Sequence, residues 1–191
     1  MEAIATPQPL LFAPPIGWYA GICNVDALIL ADEIQIERQT LRNRLVYGTF
    51  QGSKLFTIPL VNATLKNKYR EVEISYAEKW TQQLVNALQT AYGKSPFFEY
   101  YGYRFEAIIT SKEPRLWDLN LKLLLETLKC LKLPIELKTQ ESSLMVIDVP
   151  EFTTNYYQVF SEKITFMKGL SILDLLFNEG PDSAHILGKK A

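Results

Sequence analysis

Short apolar runs separated by proline-rich or polar segments characterise the first thirty residues. Residues 10–13 form one run, closed by Pro14 and Pro15, and this pattern is typical of a buried strand followed by a rigid loop. Residues 27–31 form a second run, which is too short and too continuously apolar for an amphipathic helix. With a short helix predicted over residues 17–24, the three elements indicate a βαβ-type opening.

A period of two between apolar and polar positions predicts strands in the next segment. Residues 45–47 are apolar, and in residues 56–60 Phe, Ile and Leu alternate with Thr and Pro. Gln-Gly-Ser at 51–53 lies between these two runs, so a hairpin is predicted. Pro59 lacks an N–H group, which places this strand at a sheet edge or ends it there. The same alternation over residues 71–75 predicts a further strand.

The middle of the chain changes to a helical period. Apolar side chains recur every three or four positions over residues 80–91 and again over residues 97–108, where Ser95 and Pro96 are predicted to cap and open the helix. The clearest stripe runs over residues 117–131. Such stripes are typical of core-facing helices and not of catalytic groups.

The C-terminal third is predicted to return to strands and to finish with a helix. Residues 135–138 and 156–160 are predicted strands, and Ser171 with Asp174 three residues later resembles a capping box at the start of the last helix. Taken together, the pattern predicts an α/β fold. It has a mixed sheet with helices packed on it and a helical middle segment, in a single domain over residues 1–191.

Composition and charge narrow the function classes. The 191 residues are 48% hydrophobic and carry 20 basic and 21 acidic side chains, so a compact core is expected and no electrostatic footprint for nucleic acid is present. The N-terminus lacks the basic and apolar regions of a secretory signal, and no apolar stretch is long enough to span a membrane. The chain is therefore expected to be soluble and cytoplasmic.

Several common chemistries have no anchor in the sequence. His185 is the only histidine, no CxxC or HxxxH spacing occurs, and no metal site is predicted. Cys23 and Cys130 each lie in an apolar stretch and are expected to be buried, reduced thiols. The glycine-rich signatures of dinucleotide and P-loop sites and the GxSxG nucleophile motif are absent, so no cofactor is predicted.

Asp32 is the candidate catalytic carboxylate. It follows directly on the apolar run 27–31, and ligands of α/β sheets bind beyond the carboxyl ends of strands. The alternative interpretation is that Asp32 and Glu33 are solvated loop residues or cap the next segment.

The segment Arg42-Asn43-Arg44 is the candidate anion-binding element. Its guanidinium groups can present planar forks to a carboxylate or a phosphate, and Asn43 can fix the orientation of the ligand. In an extended segment Arg42 and Arg44 would point to the same face and could hold one anion together. A polar surface run with local ion pairs explains the same residues equally well.

The ordered set of these motifs resembles the WbqC-like protein family. The resemblance rests on an aromatic pair after two prolines, on the aspartate and arginine segments, and on five later motifs along the chain. The residues that carry it are Pro14-Pro15, Trp18-Tyr19, Ala31-Asp32, Arg42-Asn43-Arg44, Ile58-Pro59-Leu60, residues 95–98, Leu119-Asn120, residues 157–160 and, most specifically, residues 170–178.

The resemblance implies a transferase for glycyl or other acyl transfer to a sugar precursor, in the biosynthesis of O-antigen or other surface polysaccharide. Its substrate would be a nucleotide sugar or an activated amino acid. In that role Asp32 would act as base or hydroxyl orienter. The substrate-binding residues would be Arg42, Asn43, Arg44, Trp18, Tyr157, Gln158 and Asn178. The alternative is a non-catalytic binding or scaffold protein of the same pathway, with a surface that carries Tyr100, Tyr103 and the leucine stripe.

Overall fold

The computed structural model describes residues 4–32, 35, 40–61, 67–140 and 149–189. The strands are β1 (Ile4–Pro9), β2 (Ala27–Ala31), β3 (Arg44–Thr49), β4 (Gly52–Thr57) and β5 (Glu136–Gln140). The helices are α1 (Ile16–Ile22), α2 (Trp80–Tyr92), α3 (Phe98–Ile109), α4 (Leu116–Cys130), α5 (Ile172–Glu179) and the short α6 (Ser183–Ile186). A 3-10 turn at Tyr69–Glu71 and another at Gly180–Asp182 complete the described elements.

A parallel sheet of three strands, in the order β1-β2-β5, positions the candidate catalytic residue. β2 is the central strand, and its side chains are almost entirely buried because helices and loops cover the sheet. Both pairings are parallel, with Ala31 opposite Pro9 on one side and opposite Gln140 on the other. All three strands therefore end at the same edge, and Asp32 lies at the middle of that edge.

The predicted α/β class, the βαβ opening and the helical middle segment are confirmed. Helix α1 connects the parallel strands β1 and β2, as the pattern predicts. The antiparallel hairpin of β3 and β4 turns at Phe50 and Gln51, and it forms a second sheet of two strands. The parallel and the antiparallel pairings thus lie in two separate sheets, whereas the sequence pattern predicts them in one mixed sheet.

Helix α5 is at the centre of the helical layer. Seven of its residues, Ile172 to Asn178, are buried, and the ring of Phe177 contacts three aromatic rings edge-on or tilted. These rings belong to Tyr92 of α2 and to Phe98 and Phe105 of α3, with centroid distances of 5.4, 5.0 and 6.0 Å. Aromatic packing of this kind adds to the stabilisation from buried area.

The apolar run at residues 10–13 is not the first strand, which is a correction to the sequence-based prediction. β1 lies before it at Ile4–Pro9, where Gln8 and other polar residues alternate with apolar ones. Residues 10–13 cross the end of the sheet, where the Phe12 N–H donates to the Leu41 carbonyl and the Leu10 carbonyl accepts from the Tyr69 hydroxyl. Their apolar character reflects burial on several sides and not strand pairing.

The strand predicted at residues 156–160 is also wrong. These residues have no strand partner, because the Val159 N–H donates to the Asn178 side chain and the Gln158 carbonyl accepts from the Ser161 N–H in a turn. The strand predicted at residues 71–75 is reduced to isolated bridges at Glu73 and Ile74, although the alternating burial is as predicted.

The predicted capping residues have different outcomes. Ser171 caps α5, since its Oγ accepts a hydrogen bond from the Leu173 N–H at 3.3 Å. Ser95 does not cap α3, which begins at Phe98, and the Ser95 hydroxyl is buried without a hydrogen-bond partner. Cys23 and Cys130 are buried free thiols, as predicted. Among the helices of the described residues, none is both long enough and apolar enough to span a membrane.

Two glycines of α1 provide a stability test with a matched control. A Cβ on Gly17 would collide with the backbone carbonyl of Pro150, whereas a Cβ on Gly21 would meet the Pro150 ring at 3.5 Å, an ordinary contact. We expect Gly17→Ala to lower the free energy of unfolding by about 1–3 kcal/mol, because backbone must shift to admit the methyl group. Gly21→Ala should leave it unchanged or raise it by up to about 1 kcal/mol through helix propensity.

Urea unfolding of the two variants measures this difference. Equal stabilities for Gly17→Ala and Gly21→Ala would show that Pro150 does not lie against α1.

Candidate functional site

Asp32 is a buried carboxylate with one oxygen that has no partner. The residue is 8% exposed, and its Oδ2 lies 2.9 Å from a terminal guanidinium nitrogen of Arg70. Its Oδ1 is enclosed but receives no hydrogen bond. Buried polar atoms in native proteins are nearly always hydrogen-bonded, so an exception at the carboxyl edge of a sheet points to a ligand or to a functional role.

Arg70 pairs with this carboxylate and lies between it and the solvent. It lies in the Tyr69–Glu71 turn, and the carbon of its guanidinium group is 5.0 Å from the centre of the Trp117 ring. The side chain is 44% exposed, so the stacked guanidinium contacts both the buried Asp32 and the solvent. Stacking on an aromatic ring holds the planar group in one orientation and leaves N–H groups available.

Tyr69 holds the turn that carries Arg70. Its ring is fully buried, packs edge-on against Trp117 at 5.3 Å, and its hydroxyl donates to the Leu10 carbonyl at 2.8 Å. The side-chain amide of Asn120, in α4, donates to the same hydroxyl. Burial raises the pKa of Tyr69 above its ordinary value, so the phenol stays protonated. The turn is thus attached to both the strand end and α4.

Arg42 lies behind the site and has no exposed surface. One terminal nitrogen donates to the Gln35 carbonyl at 2.9 Å, the guanidinium lies 5.6 Å from the centre of the Tyr69 ring, and the Arg42 carbonyl accepts from Asn120 at 2.7 Å. Residues 41–43 form a turn and a bend, so the extended geometry under which Arg42 and Arg44 would share a face is not present. In this arrangement Arg42 supports Tyr69.

Asn43 and Arg44 have different environments. The Asn43 side-chain amide donates to the Ile58 carbonyl at 2.9 Å, and the Ile58 N–H donates back to the Asn43 carbonyl at 2.8 Å, so Asn43 extends the pairing of the hairpin. Arg44 is partly exposed, and its side chain makes no hydrogen bond or ion pair with any described residue. A partly enclosed guanidinium with unused N–H groups retains its capacity to bind an anion.

Trp18 lies in the hydrophobic core. It is buried in α1 and packs edge-on against Tyr19 at 5.0 Å. The indole has almost no access to the solvent in this position. Substrate binding by Trp18 stays a prediction, and the packing does not favour it.

The remaining predicted residues form a second cluster around Asp174. Its Oδ2 accepts hydrogen bonds from the Tyr156 hydroxyl and from the Gln158 side chain, the latter at 3.1 Å. Gln158 also bonds both backbone groups of Met167, at 3.0 and 2.9 Å. Asn178 accepts from the Val159 N–H at 2.9 Å, while the side chain of Tyr157 is about half exposed.

This second cluster, which we call the α5 latch (Tyr156, Gln158, Asp174 and Asn178), attaches residues 156–167 to helix α5. The carboxylate of Asp174 accepts hydrogen bonds from Tyr156 and Gln158 and makes none to Ser171. The predicted capping box is therefore only half formed. No hydrogen bond or ion pair between described residues joins the latch to Asp32, Arg70 or Arg42.

The latch predicts a pH dependence of stability. Burial raises the pKa of Asp174 from 3.8 to about 6, although hydrogen bonds from Tyr156, Tyr92 and Gln158 act in the opposite direction. The folded state binds the proton of the Asp174 carboxyl more tightly than the unfolded state does. Protonation of Asp174 therefore stabilises the fold fully below about pH 4, and this stabilisation is lost as the pH rises through 6. Between pH 4 and 7 we expect wild type to lose about 2–3 kcal/mol of unfolding free energy relative to Asp174→Asn, measured by urea unfolding. Parallel pH profiles for the two proteins would contradict the assignment.

Sequence reasoning missed the functional candidate Arg70 and the supporting role of Asn120. Asp32 and Arg70 are 38 positions apart in the chain, and the pattern around Arg70 is that of a polar loop, so no local signal pairs the two. Asn120 lies in the leucine-rich helix, where one buried amide among apolar positions is a weak signal for a structural hydrogen bond.

A groove between α2 and the β3–β4 hairpin is a further cavity that described residues line. Its volume is about 610 Å³, and it contains none of the predicted site residues. The residues that line it are Tyr47, Thr49, Phe50, Gln51, Lys54, Gln83, Asn86, Ala87, Thr90 and Ala91. The groove contains no carboxylate and no histidine, and its titratable side chains are those of Tyr47 and Lys54.

Comparison with known proteins gives one match. A family model described as the WbqC-like protein family matches residues 8–150, well over half of the chain. No curated protein and no solved structure matches it. The matched region contains Asp32, Arg44 and Arg70 but ends before the α5 latch.

Proposed function

Because the chain belongs to the WbqC-like protein family, we propose that it is a transferase. It would move a glycyl or other acyl group onto a sugar precursor of O-antigen or another surface polysaccharide. The observation that carries the proposal is Asp32, a buried carboxylate at the edge of a parallel sheet with one unpartnered oxygen. A general base needs an acceptor oxygen that no protein group occupies, and Oδ1 meets that requirement.

The proposed step is a nucleophilic acyl substitution. The hydroxyl or amine of the sugar attacks the carbonyl carbon of the activated acyl group, and its proton passes to Asp32 Oδ1. A carbon–oxygen or carbon–nitrogen bond forms, and the bond from the acyl carbon to its leaving group breaks with the electron pair on the leaving group. Arg70 orients the base through Oδ2, as the third member of a catalytic group orients its base.

Among the sequence-predicted arginines, we assign anion binding to Arg44 and a supporting role to Arg42. Arg44 keeps unused N–H groups, whereas Arg42 is fully buried against Tyr69. Tyr157 is the latch neighbour with the exposed ring, and it remains the candidate in that segment for contact with a sugar. Gln158 and Asn178 shape the pocket only through the loop that they hold.

A transfer assay tests the proposal. Purified protein is incubated with an activated glycine and with a series of nucleotide sugars, and mass spectrometry detects a gain in mass of one glycyl residue. The proposal requires such a product with wild type and its loss in Asp32→Asn. A product formed equally by both proteins would exclude Asp32 as the base.

One observation favours the second candidate, a non-catalytic binding or scaffold protein of the same pathway. Tyr100 and Tyr103 of α3 are 67% and 61% exposed, and Leu125 of the neighbouring α4 is half exposed. Large exposed apolar groups on adjacent elements are a feature of interaction surfaces. If Tyr100→Ala and Tyr103→Ala abolish co-purification of a partner while Asp32→Asn has no effect on pathway output, this candidate replaces the transferase.

A further inference from the structure

The exposed cation of the site is Arg70, which neither the sequence pattern nor the family resemblance indicated. Its side chain is 44% exposed, and Asp32 is its only described hydrogen-bond or ion-pair partner. Arg42 is fully buried, so a ligand could reach its guanidinium only if the turn around it were displaced. The guanidinium of Arg70 is open to the solvent and can meet a ligand directly, whereas a ligand reaches the enclosed Oδ1 of Asp32 only if the residues over it shift.

The Asp32 carboxylate supplies a complementary acceptor. One of its oxygens pairs with Arg70, and the other is enclosed without a partner. Leaving a buried charged oxygen without a hydrogen bond costs free energy, which a ligand that donates to Oδ1 would recover. An anion next to this oxygen would be repelled by the carboxylate, so the donor must be a hydroxyl or an amino group.

The neighbouring residues hold the two groups in a fixed relation before any ligand binds. Trp117 stacks under the guanidinium of Arg70, and Tyr69, the preceding residue, is attached to Leu10 and Asn120 by hydrogen bonds. Asp32 is held by the central strand of the sheet. A pre-organised donor and acceptor lose little conformational entropy on binding, which raises the affinity for a ligand of matching geometry.

We propose that Asp32 and Arg70 form a two-point binding site for a ligand that carries an anionic oxygen group beside a hydrogen-bond donor. Arg70 binds the phosphate or carboxylate, and Asp32 Oδ1 accepts from the hydroxyl or amino group. Two ligand classes share this chemistry, a phosphorylated sugar and an amino acid. The proposal deepens the proposed transferase function, on which it rests, by naming Arg70 as an anion-binding residue in addition to Arg44 and by naming the substrate chemistry.

Titration calorimetry with the full chain tests the site without requiring catalysis. The probes are glucose 1-phosphate and glycine, which carry both groups, and glucose and inorganic phosphate, which carry one each. We expect either glucose 1-phosphate or glycine to bind at least about tenfold more tightly than glucose or inorganic phosphate. A probe with one group can satisfy only one of the two residues. Binding of glucose 1-phosphate identifies a phosphorylated sugar, and binding of glycine identifies an amino acid. Failure of both to bind in the millimolar range overturns the proposal.

Variants then assign the binding to these two side chains. Arg70→Gln and Asp32→Asn should each weaken the bound probe by about tenfold or more, and Arg70→Lys should recover part of the loss since it keeps the charge. Arg104→Gln is the matched control, because Arg104 also forms a 2.9 Å ion pair with a partly buried carboxylate, Glu126, away from the site. An equal loss in Arg104→Gln, or an unchanged affinity in Arg70→Gln, overturns the proposal.

The two proposals fail in different ways. Binding that depends on Arg70 and Asp32, together with an absence of transfer to any sugar, would retain the two-point site and reject the transferase. Transfer that depends on Asp32 but not on Arg70 would retain the transferase and reject the two-point site.

Discussion

Arg42→Ala should destabilise the protein by about 2–5 kcal/mol, the largest stability loss expected from any arginine of the described chain. The whole side chain is buried, and its removal leaves a cavity beside the Tyr69 ring and deprives the Gln35 carbonyl of its donor. The cavity accounts for most of the expected loss, since Gln35 is exposed and its carbonyl can accept from water instead. Thermal and urea unfolding measure the loss.

A control variant separates this structural role from ligand binding. Arg104→Ala removes a partly exposed guanidinium that is paired with Glu126, so a change within about 1 kcal/mol is expected. If Arg42→Ala unfolded at the wild-type temperature and had lost only ligand affinity, Arg42 would be a binding residue, as the sequence pattern suggested. A large loss of stability assigns Arg42 to the support of the Tyr69–Glu71 turn.

Asp32→Asn should lower the rate of acyl transfer by about a hundredfold or more with little change in stability. The substitution keeps the shape of the side chain but removes the basic oxygen, and general base catalysis contributes about 10²- to 10⁴-fold in rate. Its effect on folding is small because the Arg70 side of the ion pair is 44% exposed and Oδ1 makes no hydrogen bond that could be lost. Rates in single-turnover assays and melting temperatures measure the two effects.

The combination of the two results is what distinguishes a functional residue from a structural one. Loss of both activity and stability in Asp32→Asn would show that the carboxylate supports the fold, and activity within a few fold of wild type would show that it takes no part in the reaction.

The fold was predictable where local pattern and tertiary environment agree. The run Ala27–Ala31 is continuously apolar because β2 is the central strand, and that burial is the reason why Asp32 could be placed at its carboxyl end. The leucine stripe of α4 and the Ser171 cap of α5 are likewise set by interactions within one element. Such features need no knowledge of distant residues.

The candidate site was only partly predictable, because its contacts join distant segments. Asp32 meets Arg70 across a long stretch of chain, and the segment Arg42-Asn43-Arg44 looks like a surface run although Arg42 is fully buried. Similarly, the apolar and polar pattern of residues 156–160 fits a strand, but Asn178 and Asp174 take the hydrogen bonds that a neighbouring strand would have provided. Side chains from other elements decided these positions.

The most direct test of the central claim, that the carboxyl edge of the parallel sheet is the functional site, is a crystal structure of the protein with its tightest-binding probe. We predict ligand density within hydrogen-bond distance of Asp32 Oδ1 and of the Arg70 guanidinium. Density in the groove between α2 and the β3–β4 hairpin, with Asp32 Oδ1 still without a partner, would contradict it.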